Sequence, residues 1–514
     1  GSADPLVSFI NERVRTGWEE NEVTPSAPAD DAEWVRRVYL DVVGHVPPAE
    51  KVEAFMNDKD PAKRSKLVDE LLEDPDYVQN MTAVWSNLLI GRNAPDRTSK
   101  AGMQKYLREA FARNRPWNQM VYELLTAEGH FEENGAVNFM LAQLMGNPRN
   151  EEYHVQLTAV ATKLFLGMQV QCTQCHNHPF NDWKQNQFWE FNSFFRQVRR
   201  NDVDKYNPET GRMDDDYSEL VWMDFSGPVY FETRQALMQV AYPRYFEQDV
   251  DPGDGVERRN ELAQKMCHED PGQQLALAFV NRTWGHFFGY GFTRPVDDMG
   301  PHNAPSHPAL LERMGDEFVK SGYDIKQLVR WICNSEAYNL SSQFNSGNRV
   351  DDPTAGEVPL FSHMYVKTLS MEQLYDSLII ATAADRAGSG GYEQAQQRRD
   401  QMMQDFIRIF GGNDEDDATL FSGSIPQALL MMNGDLVKEA VSAKPGSYLH
   451  TMAANAGKAS DSVLINRLYS AALGRKATPG ELAGLKKFMG RDRGSFYQDL
   501  YWALLNSNEF IVNH

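Results

Sequence analysis

The stretch Leu157–Trp183, LTAVATKLFLGMQVQCTQCHNHPFNDW, decides how this chain is read. Its first part, Leu157–Gln171, carries apolar residues at three- and four-residue spacing. That spacing predicts an amphipathic-to-buried helix running straight into the cysteine pair, with Pro179 ending it. On such a helix Cys172, Cys175 and His176 stand at i, i+3 and i+4 and face one side. The chain has only four cysteines in 514 residues, so two of them set this close, with a histidine directly after, ask for a chemical reason.

C-x-x-C-H is the attachment pattern of c-type haem: two thiols add to the porphyrin vinyl groups and the adjacent imidazole reaches the iron. On this reading Cys172 and Cys175 tether haem c and His176 is the proximal ligand. Trp183, with Phe188, Trp189 and Phe191, would wall the porphyrin, although plain core is the commoner use of such a run. A zinc or iron ion held by Cys172, Cys175, His178 and His176 is the alternative, and no second C-x-x-C or H-x-H follows at zinc-ribbon spacing. A redox dithiol would prefer a βαβ setting, which the pattern lacks. In a purely structural reading, His178-Pro179-Phe180 caps the helix.

Further along, "NRTWGHFFGYGF" (Asn281–Phe292) and "PVDDMGPHNAPSHP" (Pro295–Pro308) supply His286, Met299, His302 and His307 as candidates for a second axial or metal ligand. Each is more often a packing or surface residue. Asp297 and Asp298, with His302, form a candidate cation or acid–base group, and His286 and His307 join them as candidate catalytic residues. A solvated loop would carry the same pattern. Cys267 and Cys333 lie in helical patterns and are expected to be buried free thiols.

Outward from this centre the periodicity is helical, as in Ala62–Val78 and Asn114–Gly129. Asp60-Pro61 offers an N-cap with proline at the first helical position. Ser370 with Gln373 and Thr478 with Glu481 read as capping boxes. Strand signals gather in Ser218–Arg234, read as two short runs around Ser226-Gly227-Pro228, hence a small hairpin. The expected fold is therefore mostly α: an N-terminal helical domain over 1–200, an acidic insertion with a β-hairpin over 201–257, and a C-terminal helical domain over 258–514. The segment Arg386–Ser424, rich in glycine and charge, is expected to be a mobile excursion. An echo is also visible. Arg37-x-Tyr39, Gly44, Pro48-x-Glu50 and Phe55-Met56 recur as Arg467-x-Tyr469, Gly474, Pro479-x-Glu481 and Phe488-Met489. "LLEDPDY" (71–77) and "LLNSNEF" (504–510) close the two copies, and "GYDIKQLVRWICNSEAY" (322–338) aligns with the second ending, which favours a duplicated helical unit.

The balance of 72 acidic against 51 basic residues gives a net charge of −21, a field that repels phosphate backbones and anionic lipid. Nucleic acid is thus not an expected partner, and no stretch reaches the length of a membrane span.

"DDAEWVRRVYLDVVGHVPPAEKVEAF" (30–55), "CTQCHNHPFNDWKQNQFWEFNSFF" (172–195), the run from Leu275 to Ser342, "SIPQALLMMNGDLV" (424–437) and the closing "YWALLNSNEFIVNH" (501–514) are spread along nearly the whole length of the chain. In these segments the chain resembles the planctomycete cytochrome-like domain of unknown function followed by its companion C-terminal domain. The resemblance implies export to the periplasm or cell surface, with the leader absent from this chain, and a link to gene sets for degrading sulfated polysaccharide. It draws attention to Cys172, Cys175, His176, His178, Pro179 and Trp183 in the first domain. In the second it draws attention to Asn281, Arg282, Trp284, His286, Asp297, Asp298, Ser306 and His307. The leading expectation is an exported c-type haem redox protein, a haem-dependent oxidoreductase if catalytic, facing an electron-transfer partner or a glycan-derived substrate. The alternatives are a zinc- or iron-dependent enzyme on glycans and a non-catalytic binding scaffold.

Overall fold

Helix boundaries follow local chemistry. The computed structural model describes residues 4–383 and 441–514, except 145, 271, 443, 444, 456, 458 and 491. Ser370 caps the helix Met371–Thr382 by accepting the Gln373 N–H, and the Gln373 side chain accepts the Ser370 N–H in return. Thr478 and Glu481 close the same box at Pro479–Phe488. Asp60 behaves differently from the expected N-cap: its carboxylate accepts the Ala62 N–H at 2.8 Å in a tight turn, and the helix begins only at Lys63. The fold is mostly α, and among the described residues no helix is long and apolar enough to cross a membrane. The expected excursion Arg386–Ser424 and the stretch Ser424–Val437 lie outside the described residues.

The β content corrects the expected hairpin. The two runs of Ser218–Arg234 are extended, but they do not pair with each other. Arg212–Trp222 pairs antiparallel with Val198–Asn207 on one edge and with Gly129–His130 on the other. Val229–Glu232 pairs instead with Met238–Ala241. The reason is burial. Val229, Phe231 and Ala241 face inward with Phe188 and Trp189 in one apolar cluster, while Leu220 is buried in the other sheet.

The chain forms two compact units, each drawn from separated stretches. The first comprises residues 1–17, 81–332 and 352–360. Its centre is an aromatic column in which Trp117 lies 4.4 Å from Trp85 and 4.5 Å from Phe279, and Phe279 stacks on Phe318 at 5.3 Å. Such rings carry the largest apolar areas available to a core.

Within this unit His154 is buried just ahead of the helix Val155–Leu166, and its Nε2–H donates to the Val198 carbonyl at 2.8 Å. A second proton would sit on Nδ1, which is buried without a partner, and burial pushes the imidazole down to about 4. A depressed pKa means that the unfolded chain binds the proton first as pH falls below the usual histidine value near 6.5. The stabilisation is complete above that pH and is lost progressively down to about pH 4. We expect about 3 kcal/mol of unfolding free energy to disappear over this window. Urea unfolding of the wild type and His154→Gln at pH 7 and pH 4.5 checks it: the variant should show a flatter pH dependence.

Among the described residues, the second unit comprises 18–80, 333–351, 361–383 and those from 441 onward. Its apolar core joins Leu40 and Val46 to Leu378, Ile465, Leu468, Tyr501 and Phe510, so the early helices fold with the C-terminal ones. Here the sequence echo is a repeat of structure. Asp31–Val42 and Ala49–Asn57 are joined through Gly44 at φ +82°, as Asp461–Leu473 and Pro479–Phe488 are joined through Gly474 at φ +72°. Both glycines take the left-handed conformation that ends a helix. The residue after each glycine then reaches the same acidic position of its copy's closing helix. His45 Nε2 lies 3.1 Å from Asp76, and Arg475 pairs with Glu509 at 2.5 Å.

Candidate functional site

The helix that leads to the cysteine pair stops early, which corrects the expectation that it carries the motif. Val155–Leu166 ends at Gly167, whose φ of +63° is left-handed, and the Met168 N–H closes back on the Thr162 carbonyl at 3.1 Å. Glycine at this position outweighs the apolar periodicity that continues to Val170. The motif instead begins in a separate 3₁₀ turn, Gln171–Gln174, with Cys175 at its end. In such a turn positions i and i+3 eclipse one another, so Cys172 and Cys175 still share a side. Both thiols are free and exposed.

The turn is held by residues that the sequence pattern did not single out. Thr173 is buried and its hydroxyl donates to the Val170 carbonyl. The Gln174 carbonyl accepts from Trp189 Nε1 at 3.0 Å and from Gln185 Nε2 at 3.1 Å, and the same Gln185 amide reaches the Glu232 carbonyl at 2.9 Å. Trp189 stacks on Phe231 at 5.9 Å, so the aromatic run after the motif is core that braces the turn. Trp183 is half-buried, edge-on to Phe246 at 6.0 Å, and its carbonyl accepts the His178 N–H.

Three imidazoles surround the turn, and their hydrogen bonds separate their chemistry. His176 Nδ1 lies 2.7 Å from the Asn177 carbonyl, which only accepts, so Nδ1 carries the proton and Nε2 keeps a lone pair. His178 is the opposite tautomer. Its Nδ1 accepts the N–H groups of Phe180 and Asn181 at 3.2 and 3.0 Å, which leaves the proton on Nε2. His302, whose ring lies 5.6 Å from that of His178, donates Nε2–H to Asp298 at 3.0 Å. Its Nδ1 is buried beneath Gly300, where a Cβ would come within 2.9 Å. Only His176 therefore offers an open nitrogen.

The Pro295–Pro308 loop lies against this turn, as the grouping of Asp298, His302 and Cys172 requires. Burial, with the Asp298 carboxylate adding to it, pushes the Cys172 thiol up. Burial and the neighbouring His302 hold His178 below the usual histidine value. A raised thiol is the reverse of what an activated dithiol needs. Asp297 is almost fully buried and accepts from Gln169 at 2.7 Å, with Lys163 at 3.3 Å and Arg282 at 3.8 Å. It anchors the loop. Met299 is buried too: its N–H donates to the Gly167 carbonyl at 2.7 Å, and its Sδ would lie 2.8 Å from a Cβ at position 167.

The other candidates lie elsewhere in the same unit. His286 is half-buried in the helix Gln274–Phe288, edge-on to Phe287 at 5.2 Å. His307 is buried at the start of the helix Pro308–Lys320, with Nδ1 2.9 Å from Ser306 Oγ and the ring pressed against Gly17. Cys267 is a buried free thiol, and in the second unit so is Cys333. Among the described residues no three His, Cys, Asp or Glu side chains are arranged to hold one metal ion.

Fold and site thus define a mostly α-helical protein of two compact units with an exposed cysteine–histidine turn in one of them. Residues 9–200 match the family model PSCyt2, Protein of unknown function (DUF1549), and residues 258–489 match PSD1, Protein of unknown function (DUF1553). The two matches fall in that order along the chain and are separated by residues 201–257. No curated protein and no solved structure matches it.

Proposed function

We propose that the protein is an exported c-type haem redox protein of the periplasm or cell surface, serving oxidative polysaccharide utilisation. The observation behind this reading is the open Nε2 of His176 beside two exposed free thiols on one short turn. The residue types suit a covalent haem: Cys172 and Cys175 would hold it through thioethers and His176 would bind its iron, with the imidazole oriented by the Asn177 carbonyl. Bound haem would supply a one-electron centre. Gln185 and Trp189 hold the turn that presents the two sulfurs, and Asp297 pins the neighbouring loop. Electrons would pass to a partner protein or come from a glycan-derived substrate.

The test is expression with export in a haem-attaching host, followed by an absorption spectrum after denaturation. Full-length protein should keep a Soret band through denaturation, and Cys172→Ser with Cys175→Ser should lose it entirely. A protein that leaves such a host without covalent haem, while a control cytochrome from the same cells is loaded, overturns the proposal. The second reading is a zinc- or iron-dependent enzyme on glycans, with His176 Nε2 and the two exposed thiols as the groups that an ion would meet. Stoichiometric metal by elemental analysis, without a Soret band, would favour it. Neither haem nor metal, with the cysteine variants merely less stable, would leave a binding scaffold.

A further inference from the structure

A cleft of about 580 Å³ opens in the second unit among the helices Ala49–Asn57, Tyr448–Ala454 and Asp461–Leu473, far in sequence from the cysteine turn. Its walls carry opposite charge. Glu50 and Glu53 stand on the first helix, Arg467 on the third, and Lys476 just beyond it. Among the described residues none of these four side chains makes an ion pair or hydrogen bond, and all four are exposed. Arg475, which also lines the cleft, is by contrast committed to Glu481 and Glu509. Tyr448 sits between the walls and donates to the Arg467 carbonyl at 3.2 Å. Burial, with the Glu50 carboxylate behind it, pushes this phenol up to about 12, so it remains a donor at neutral pH. Buried Val52 and Met452 give the floor an apolar strip.

Two like-charged pairs of opposite sign lining one cleft select against most ligand classes. A nucleotide or other polyanion meets Glu50 and Glu53, a polyamine meets Arg467 and Lys476, and a neutral sugar would hydrogen-bond to both pairs but neutralise neither. A ligand with one charge of each sign at its two ends satisfies both walls, and an apolar middle would cover Val52 and Met452. We propose that this cleft binds short peptides with free termini, the ammonium end toward Glu50 and Glu53 and the carboxylate end toward Arg467 and Lys476. The volume falls within the range of small-ligand sites. This proposal is independent of any cofactor at the cysteine turn.

Calorimetric titration of the full chain with the tripeptide Ala-Leu-Ala, and with its N-acetylated and C-amidated forms, tests it. The free-ended peptide should bind, and each blocked form should bind about tenfold more weakly. Glu50→Gln with Glu53→Gln should weaken the free peptide while leaving the acetylated form unchanged. Arg467→Gln with Lys476→Gln should spare only the amidated form. The blocked peptides probe the same charges on the unaltered chain, so the outcome does not hang on how the variants fold. No binding of the free peptide, or equal binding of all three forms, refutes the proposal.

Discussion

Arg36→Met should lower the unfolding free energy of the second unit by about 3–5 kcal/mol. The side chain is fully buried, and its guanidinium donates to four carbonyls: Ala472 at 3.1 Å, Glu509 at 3.1 Å, Phe510 at 2.8 Å and Val512 at 3.3 Å. Ala472 belongs to the last turn of Asp461–Leu473, whose carbonyls have no partner within the helix, and Phe510 to the short helix Asn508–Ile511. Methionine fills much of the volume but donates nothing, so several acceptors are left buried and dry at about 1–3 kcal/mol each before relaxation. Burial already holds the guanidinium down to about 10, which marks how little water reaches it. Arg36→Lys keeps a charge but cannot span four acceptors, and should recover less than half the loss. Urea unfolding followed by circular dichroism decides the matter; a cost below about 1 kcal/mol for methionine would mean that the carbonyls find other donors.

The second large effect is expected at Asp297. Asp297→Ala removes the carboxylate facing Arg282, which is itself almost fully buried, and deprives the Gln169 amide of its acceptor. Removing one partner of a buried ion pair costs about 3–5 kcal/mol. Asp297→Asn still offers an oxygen to Gln169 and should lose about half as much. The damage should also reach the site, because the same loop brings Asp298 and His302 to the cysteine turn. Limited proteolysis between Pro295 and Pro308 should accelerate in the alanine variant at temperatures where the first unit remains folded by circular dichroism. Unchanged cleavage would show that the Met299–Gly167 contact holds the loop unaided.

Both residues show where sequence reading stops. Arg36 stands in a plain helical pattern, and nothing near it announces acceptors more than 430 positions away. Asp297 sits in a loop rich in proline and asparagine that reads as solvated, yet Gln169 lies 128 positions from it. The helix stop at Gly167 was legible in principle, since glycine after an apolar run is a stop signal. Continuing periodicity and the later Pro179 argued the other way, and the left-handed glycine won because Met299 packs tightly over it. The strands of Ser218–Arg234 were legible as strands, whereas their partners depended on which faces the surrounding aromatics would bury.

What the sequence determined by itself is local: the capping boxes at Ser370 and Thr478, the mostly α class, the repeated helix–glycine–helix pattern, and the proximity of two thiols and an imidazole. Groups within about four residues satisfy one another whatever the rest of the chain does. Tertiary structure alone decided which imidazole keeps a free lone pair, which carboxylate is buried, and which early helices join the C-terminal ones. Those outcomes depend on donors, acceptors and apolar faces supplied from distant positions, and such partners meet only when water is excluded between them.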